Sequence, residues 1–220
     1  LDDSMTYSSA LFSSEVNNLK EAQLCKYQHI IGQLNAKAGA HILEIGCGWG
    51  GFAEYAAAQG FKVTGITISE EQYQFARKRV ERFGPDVDIQ LKDYRELEGS
   101  FDHVVSIEMF EALGKAYWPK YFEVISKVLK PNSSAVIQTI TIRDESFASY
   151  SRGTDFIQQY IFPGGMLPGP ARFVISAQKK GLQLTGRTEF GQDYAKTLAE
   201  WESNFTRVEQ EVRSLGFNDT

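Results

Sequence analysis

The chain has 220 residues, of which 42% are hydrophobic and 23% are charged, and its net charge at pH 7 is -5. This length and composition suffice for one substantial core, so we expect a single domain over residues 1–220. The acidic balance argues against a nucleic-acid binder, whose surface usually carries a basic stripe, and no apolar run approaches the roughly 18 residues of a membrane span.

The first segments predict a helix, a strand, a glycine turn, a second helix and a second strand. Residues 18–34 place apolar side chains near helical period, with Asn17 or Asn18 as the cap. HILEIG (41–46) is a short apolar run that ends in glycine, FAEYAAAQG (52–60) is a helix closed by a glycine, and FKVTGITI (61–68) is the next strand.

The middle of the chain continues this alternation. Residues 69–84 predict a helix that opens with Ser69 as N-cap and Gln72 at capping-box spacing. The strands VDIQLKD (87–93), FDHVVSI (101–107) and SAVIQTITI (134–142) follow, and a helix over residues 116–131 separates the last two. Strands that alternate with helices predict an α/β fold with a doubly wound parallel sheet, whose ligands lie at the carboxyl ends of the strands.

After Ile142 the pattern changes. Residues 143–170 form a long segment rich in aromatic residues, and a segment of this length between core elements is usually functional. We expect a short helix over 155–161 inside it. A helix over 171–181, a strand over 182–191 and a long helix over 194–215 complete the chain.

The glycine-rich turn EIGCGWGG (44–51) directly follows a strand and precedes a helix. Glycines let the backbone turn tightly and let a ligand approach closely. A dinucleotide site wants an acid about 20 residues further on, where this chain has Thr67. Glu44, two residues before the first glycine, suits a ligand with an ammonium and a sulfonium group, so S-adenosylmethionine is favoured over a dinucleotide.

Two other places carry candidate site residues. Asp93 and Tyr94 follow the third strand and suit the amino group and the ring of an adenine, although on their own they are better explained as a turn-capping Asp beside a core Tyr. SIEMFEALG (106–114) places Glu108 and Glu111 among large apolar residues, and carboxylates are costly to bury unpaired.

Taken in order from Tyr7 to Trp201, the segments YSSALF, LEIGCGWGG, GITISEEQ, DYRELEGSFDHVVSIEMFEALG, DFIQQYIFPGGMLP and DYAKTLAEW closely resemble the cyclopropane fatty acid synthase family, which includes the mycolic acid cyclopropane synthases. The resemblance implies a class I, Rossmann-like methyltransferase sheet of seven strands with an aromatic-rich insertion after the fifth. It also implies S-adenosyl-L-methionine as methyl donor and the cis double bond of a fatty acyl chain, usually in a phospholipid, as acceptor.

Motif by motif, the resemblance assigns the donor site. Glu44 is included because it lies two residues before the first glycine. The expected donor-binding residues are Tyr7, Ser8, Glu44, Gly46, Gly48, Thr67, Gln72, Asp93, Tyr94 and Ile107. Aromatic side chains that can line an acyl pocket and stabilise a carbocation are Tyr117, Trp118, Tyr150, Phe156, Tyr160 and Phe162.

The family removes a proton from the added methyl group with a bound bicarbonate. The resemblance places Glu111, Tyr194 and the main chain of Ile140 around it. Three family residues are replaced, because Ser9 stands for a cysteine and both Ala112 and Gln138 stand for histidines. Gln138 can donate a hydrogen bond but cannot carry a charge, so bicarbonate is held more weakly or differently, and the product is either a cyclopropane or a methylene or methyl branch.

The expected partners are unsaturated phospholipid acyl chains, with peripheral contact at the inner face of the membrane and no nucleic acid; a homodimer is left open. A small-molecule N- or O-methyltransferase and a non-catalytic donor-binding or lipid-binding protein are the alternatives. Relative to the family the chain is expected to be shorter at both ends. The antiparallel seventh strand of the family is not expected after residue 215, which predicts either a gap beside the fifth strand or a sheet closed in some other way.

Overall fold

A computed structural model describes residues 1–16 and 18–217. The helices and strands, in chain order, are α1 Leu19–Leu34, β1 His41–Ile45, α2 Gly51–Ala58, β2 Lys62–Thr67, α3 Glu70–Val80, β3 Val87–Leu91, β4 Phe101–Ile107, α4 Trp118–Val128, β5 Leu129–Gln138, α5 Phe147–Tyr150, α6 Pro170–Gln178 and α7 Gly191–Ser214. The chain forms two compact units, one of residues 31–187 and one of residues 1–30 with the chain from Thr188 onward. The single domain expected over residues 1–220 stays a prediction.

The larger unit is built on a five-stranded sheet in the order β3-β2-β1-β4-β5. All four strand pairs are parallel, which confirms the predicted doubly wound α/β architecture. β1 lies at the centre, and its Ile42, Leu43 and Ile45 are fully buried, as expected for a parallel strand covered on both faces. The turns after β1, β2 and β4 therefore meet at one edge of the sheet.

The predicted helix ends are confirmed where the sequence carries a capping residue. The Asn18 side chain accepts a hydrogen bond from Glu21 N at 2.9 Å, and Ser69 Oγ accepts one from Gln72 N at 3.3 Å. Gly60 ends α2 with a φ of 83°. Asn17, the alternative cap of α1, lies outside the described residues.

An aromatic cluster fixes the turn that follows β4. Phe110 is fully buried and packs edge-on against Tyr121 and Phe173, with ring centroids 5.1 and 5.0 Å apart. Burial of one such side chain contributes roughly 1.5–3 kcal/mol. The short helical turn that begins at Phe110 is therefore anchored by α4 and α6.

The predicted boundaries around β5 were wrong at both ends. α4 ends at Val128 rather than at residue 131, and β5 runs over Leu129–Gln138 rather than 134–142. β5 ends early because its neighbour β4 stops at Ile107, whose pairing partner is Gln138. Beyond that point Ile142 N donates to Pro168 O at 3.0 Å, so the backbone leaves the sheet.

The strand expected over residues 182–191 was also wrong. Residues 182–190 form no strand, and α7 already begins at Gly191. An extended segment becomes a strand only where a neighbour accepts its backbone hydrogen bonds, and the described part of the chain contains no strand after β5. β5 accordingly forms one edge of the sheet.

The segment after β5 is attached at several points. Asp144 Oδ2 accepts from Ala171 N in the first turn of α6 at 3.1 Å, and the Tyr150 hydroxyl accepts from Leu167 N at 3.2 Å. The short helix expected at 155–161 is a wide turn over Ile157–Ile161, closed by Phe162 N donating to Ile157 O at 2.8 Å.

In the smaller unit the N-terminal arm is bound to α7. Ala10 N donates to Thr197 Oγ1 at 3.0 Å, and Phe12 N donates to the Asp193 carboxylate at 3.2 Å. The Tyr7 ring stacks on that of Trp201, with centroids 5.3 Å apart. No helix in the described ranges is both long and apolar enough to cross a bilayer.

Candidate functional site

The glycine turn after β1 has a backbone that other residues rarely adopt. Gly46, Gly48 and Gly50 have φ angles of 80°, 52° and 79°. A Cβ at Gly46 would lie 2.7 Å from Met109 Cγ, whereas one at Gly48 would meet nothing within 4 Å. The turn is thus packed against the residues that follow β4 on one side, and at Gly48 it leaves open space that a ligand can enter.

Two buried residues, Glu44 and Cys47, belong to this glycine-rich segment. Glu44 is 2% exposed and pairs in the sheet with Gly65 and Val105. Burial, and then the nearby Glu44 carboxylate, raise the pKa of the Cys47 thiol. Cys47 is therefore a neutral packing residue.

A polar pair lies at the end of β2. Thr67 Oγ1 donates to Gln72 Oε1 at 2.7 Å and accepts from Ser69 N at 3.2 Å. Because Gly46 N and Cys47 N both donate to Ile66 O, this pair is held directly beside the glycine turn. Thr67 and Gln72 are thereby brought together with the glycines, as the sequence predicted.

Asp93 caps a short turn, and Tyr94, the next residue, is buried in the core. The Arg95 guanidinium binds both oxygens of Asp93, at 2.9 and 2.6 Å, and this hydrogen bonding holds the pKa of that carboxyl below its usual range. The Tyr94 ring lies edge-on to Tyr121 at 5.8 Å, and burial raises the pKa of Tyr94. Their role at an adenine stays a prediction.

The end of β4 carries a strained residue. Ile107 is half-buried, and Glu108 after it has a φ of 47°, in the left-handed region that costs a non-glycine residue roughly 1 kcal/mol. Glu108 N donates to Gln138 O at 2.9 Å, and Glu108 Oε1 accepts from Gln138 Nε2 at 2.8 Å. Strain of this kind persists where surrounding contacts impose it, and it is concentrated at functional sites.

Glu111 lies one turn further on, over the end of β5. Ile140 N donates a short hydrogen bond to Glu111 Oε1, while Met166 N donates to the Glu111 carbonyl at 2.9 Å. Oε2 is buried and has no hydrogen-bond partner in the described part of the chain. Burial, with a smaller contribution from Glu108, raises the pKa of Glu111 to about 7. The side chain can therefore gain or lose a proton near neutral pH.

Four expected site residues belong to the smaller unit. Ser8 Oγ accepts from Lys26 Nζ at 2.6 Å, and Ser9 Oγ donates to Ala10 O at 3.1 Å. Both serines are buried, Tyr7 is 55% exposed, and Tyr194 is half-buried on α7. Their roles at the donor and at the base stay predictions.

The larger unit brings together Glu111, Gln138 and Ile140 as predicted. Sequence reasoning missed that Glu108 joins this group, because its left-handed backbone leaves no mark in the residue pattern. Among the aromatic candidates Trp118 is a core residue at 3% exposure and Tyr150 is half-buried, whereas the remaining four are exposed: Tyr117, Phe156, Tyr160 and Phe162.

Comparisons with known proteins identify relatives of this chain. A sequence model described as mycolic acid cyclopropane synthetase matches residues 1–220. The tuberculostearic acid methyltransferase UfaA1 of Mycobacterium tuberculosis is 36% identical over 229 residues, which cover 100% of this chain and 54% of that protein. The cyclopropane-fatty-acyl-phospholipid synthase of Escherichia coli K12 is 38% identical over 218 residues, covering 96% and 54%. The chain thus spans about half the length of the curated relatives it matches.

Solved structures give the same result. The cyclopropane synthase MmaA2 of Mycobacterium tuberculosis superposes with a TM-score of 0.90 at 29% identity, covering 98% of this chain and 80% of that one. The mycolic acid cyclopropane synthase CmaA1, complexed with SAH and CTAB, superposes equally well at 27% identity and with the same coverage.

Proposed function

Because the chain belongs to the mycolic acid cyclopropane synthetase family, we propose that it is an S-adenosylmethionine-dependent C-methyltransferase acting on the cis double bond of an unsaturated fatty acyl chain in a phospholipid. The main support for the proposal is the environment of the Glu111 carboxyl. A buried carboxyl that can exchange a proton near neutral pH, at the carboxyl ends of β4 and β5, is what a reaction ending in proton loss from a carbon requires.

The residues around the glycine turn fit the methyl donor. Open space at Gly48 allows close approach to the backbone, and the Glu44 carboxylate suits an ammonium or sulfonium group. Thr67 with Gln72 offers hydrogen bonds beside the turn, and Asp93 offers a carboxylate beyond it. When bound, the donor supplies an electrophilic methyl group.

The acceptor side of the proposal rests on apolar residues. An alkene is a weak nucleophile, so the protein must hold its π electrons in line with the methyl group and exclude water. The segment over 143–170 supplies aromatic side chains for this purpose. Which carbon gives up the proton then decides between a cyclopropane and a methylene or methyl branch.

Contact with the membrane is peripheral in this proposal, at the inner face. An exposed apolar cluster supports it, with fractional exposures between 45% and 65% for Phe156, Ile157, Tyr160, Ile161 and Phe162. Aromatic rings of this kind are favoured at the boundary between headgroups and acyl chains. Flotation of the protein with phospholipid vesicles measures this contact directly.

The deciding experiment mixes the purified chain with methyl-labelled S-adenosylmethionine and vesicles of unsaturated phospholipid, and then analyses the acyl chains by mass spectrometry. Saturated vesicles and the variant Glu111→Gln are negative controls, and Glu98→Gln, which removes an exposed carboxyl, is the matched positive control. Label on the acyl chain supports the proposal. Label only on an added amine or alcohol indicates a small-molecule methyltransferase, and donor binding without turnover indicates a binding protein.

A further inference from the structure

The residues expected to hold a bicarbonate do not fit one in the arrangement that the larger unit adopts. The N–H of Ile140 donates to the Glu111 carboxylate itself, and Gln138 Nε2 donates to Glu108. Both N–H groups that would hold an anion are thus engaged by carboxylates, and an anion here would also meet Glu108, which is not among the residues assigned to bicarbonate. Two negative groups close together are unfavourable in a buried site.

We propose that Glu111 itself, and not a bound bicarbonate, accepts the proton that leaves the added methyl group, and that Glu108, fixed by Gln138, is the positioning residue that keeps Glu111 ready to do so. The proposal deepens the proposed function and rests on it. It is carried by the two hydrogen bonds just described and by the buried Oε2 of Glu111.

The geometry of Glu111 suits a proton acceptor. Its Oε1 is fixed by Ile140 N, so Oε2 is the oxygen that remains for a proton. Its main chain is fixed as well, because Met166 N donates to its carbonyl and a Cβ at Gly165 would lie only 2.7 Å from that carbonyl oxygen. The carboxyl is therefore held in one position. A general base needs this, because it must lie within hydrogen-bond reach of the proton that it removes.

The groups that face Glu111 set its protonation. Glu108, from the same turn, adds a negative charge that favours the protonated form, and burial acts in the same direction. From α4, Tyr121 contributes a hydroxyl that remains neutral, since burial raises its pKa. From the end of β5, Ile140 N and the Thr139 hydroxyl favour the charged form. The balance places Glu111 near neutrality, where a base is most effective.

The step itself balances without any further reagent. A C–H bond of the methyl group added to the acyl chain breaks, and its electron pair forms the third carbon–carbon bond of the ring. The positive charge on the acyl chain is neutralised, and the proton forms an O–H bond at Glu111 Oε2. The proton is then released to solvent before the next turnover.

The first test is a titration of the ligand-free chain with its glutamate carboxyls labelled with carbon-13. We expect one carboxyl to titrate near pH 7 in the wild type, to be absent from Glu111→Gln, and to move to lower pH in Glu108→Gln. Glu98→Gln should leave it unchanged. The positioning role would be overturned if no carboxyl titrated near pH 7, or if the titration did not shift in Glu108→Gln. This holds whether or not methyl transfer is found.

The second test measures methyl transfer to unsaturated vesicles in carbon-dioxide-free buffer with and without added bicarbonate. We expect the rate to be unchanged by bicarbonate and to fall about 100-fold in Glu111→Gln. In Glu108→Gln the acidic limb of the rate profile should move to lower pH, which loss of structure alone would not produce. A rate that depends on bicarbonate would overturn the proton-acceptor role. A wild type that methylates no acyl chain would instead refute the proposed function, and the proton-acceptor role with it.

Discussion

Gln138 donates from Nε2 to Glu108 Oε1 over 2.8 Å, and its carbonyl accepts from Glu108 N at 2.9 Å. The last residue of β5 thus holds the first residue after β4 through both its side chain and its main chain. Glu108 has a φ of 47°, so the pair maintains a backbone conformation that a free glutamate would avoid. This turn leads directly to Met109, which packs on Gly46, and to Glu111.

A double-mutant cycle tests that relationship. Gln138→Ala removes the side-chain hydrogen bond and should lower the free energy of unfolding by roughly 1 kcal/mol. Glu108→Gly removes the carboxylate and relieves the left-handed strain. In the double variant the two effects should not add, with a coupling of roughly 0.5–3 kcal/mol in urea denaturation. Strict additivity would mean that the hydrogen bond does not support the turn.

Glu111→Gln should change how stability depends on pH. The pKa of Glu111 rises from 4.5 to about 7 on folding, so between these values the unfolded chain loses a proton that the folded chain retains. The free energy of unfolding therefore falls as pH rises through this window, by up to about 3 kcal/mol, and is lowest above pH 7.

The glutamine variant cannot titrate at this position, and it still accepts from Ile140 N. The free energy of unfolding of Glu111→Gln, measured by chemical denaturation, should be closer to that of the wild type at pH 5 and should exceed it at pH 8. Glu98→Gln, at an exposed carboxyl, should track the wild type at both pH values. If Glu111→Gln changed the free energy of unfolding equally at pH 5 and pH 8, the raised pKa assigned to Glu111 would be contradicted.

Gly46→Ala should damage both the fold and donor binding. Its φ is 80°, and a Cβ would lie 2.7 Å from Met109 Cγ. Gly60→Ala is the matched control, because its φ is 83° but a Cβ there meets nothing within 4 Å. Both variants should lose roughly 1–3 kcal/mol of stability through backbone strain. Only Gly46→Ala should also weaken binding of S-adenosylhomocysteine in calorimetry, and equal binding by both would refute its place in the donor site.

Much of the fold was predictable because its signals are local. The apolar run of β1, the glycines that follow it and the Ser69 cap each act within a few residues. The site was harder to predict. The pairing of Glu108 with Gln138 depends on the register between two strands, which a single sequence does not specify. The strand expected at residues 182–191 failed for a related reason, since alternation indicates an extended segment but not the neighbour it needs.

Phe156→Ser and Tyr160→Ser should reduce methyl transfer to phospholipid vesicles without affecting the fold. Both rings are 65% exposed and lie 5.2 Å apart, so stability should change by less than about 0.5 kcal/mol. We expect methyl transfer to vesicles to fall several-fold, because apolar surface is lost from the cluster that we propose contacts the membrane. Leu184→Ser, at 54% exposure outside this cluster, is the control. Equal loss in all three variants would contradict a specific role.

Gly169→Ala should loosen the segment between β5 and α6. Asp144 Oδ2 accepts from Ala171 N at 3.1 Å, and a Cβ at Gly169 would press on the other carboxylate oxygen of Asp144. The added methyl therefore displaces Asp144 and removes a hydrogen bond at the start of α6, which typically costs about 1 kcal/mol. Limited proteolysis should cut between residues 143 and 170 faster than in the wild type. Gly153→Ala lies in the same segment, and its Cβ would meet only Ser149 O at 4.0 Å, so its cleavage rate should not change. If both variants were cut equally fast, the attachment through Asp144 would not be what holds this segment in place.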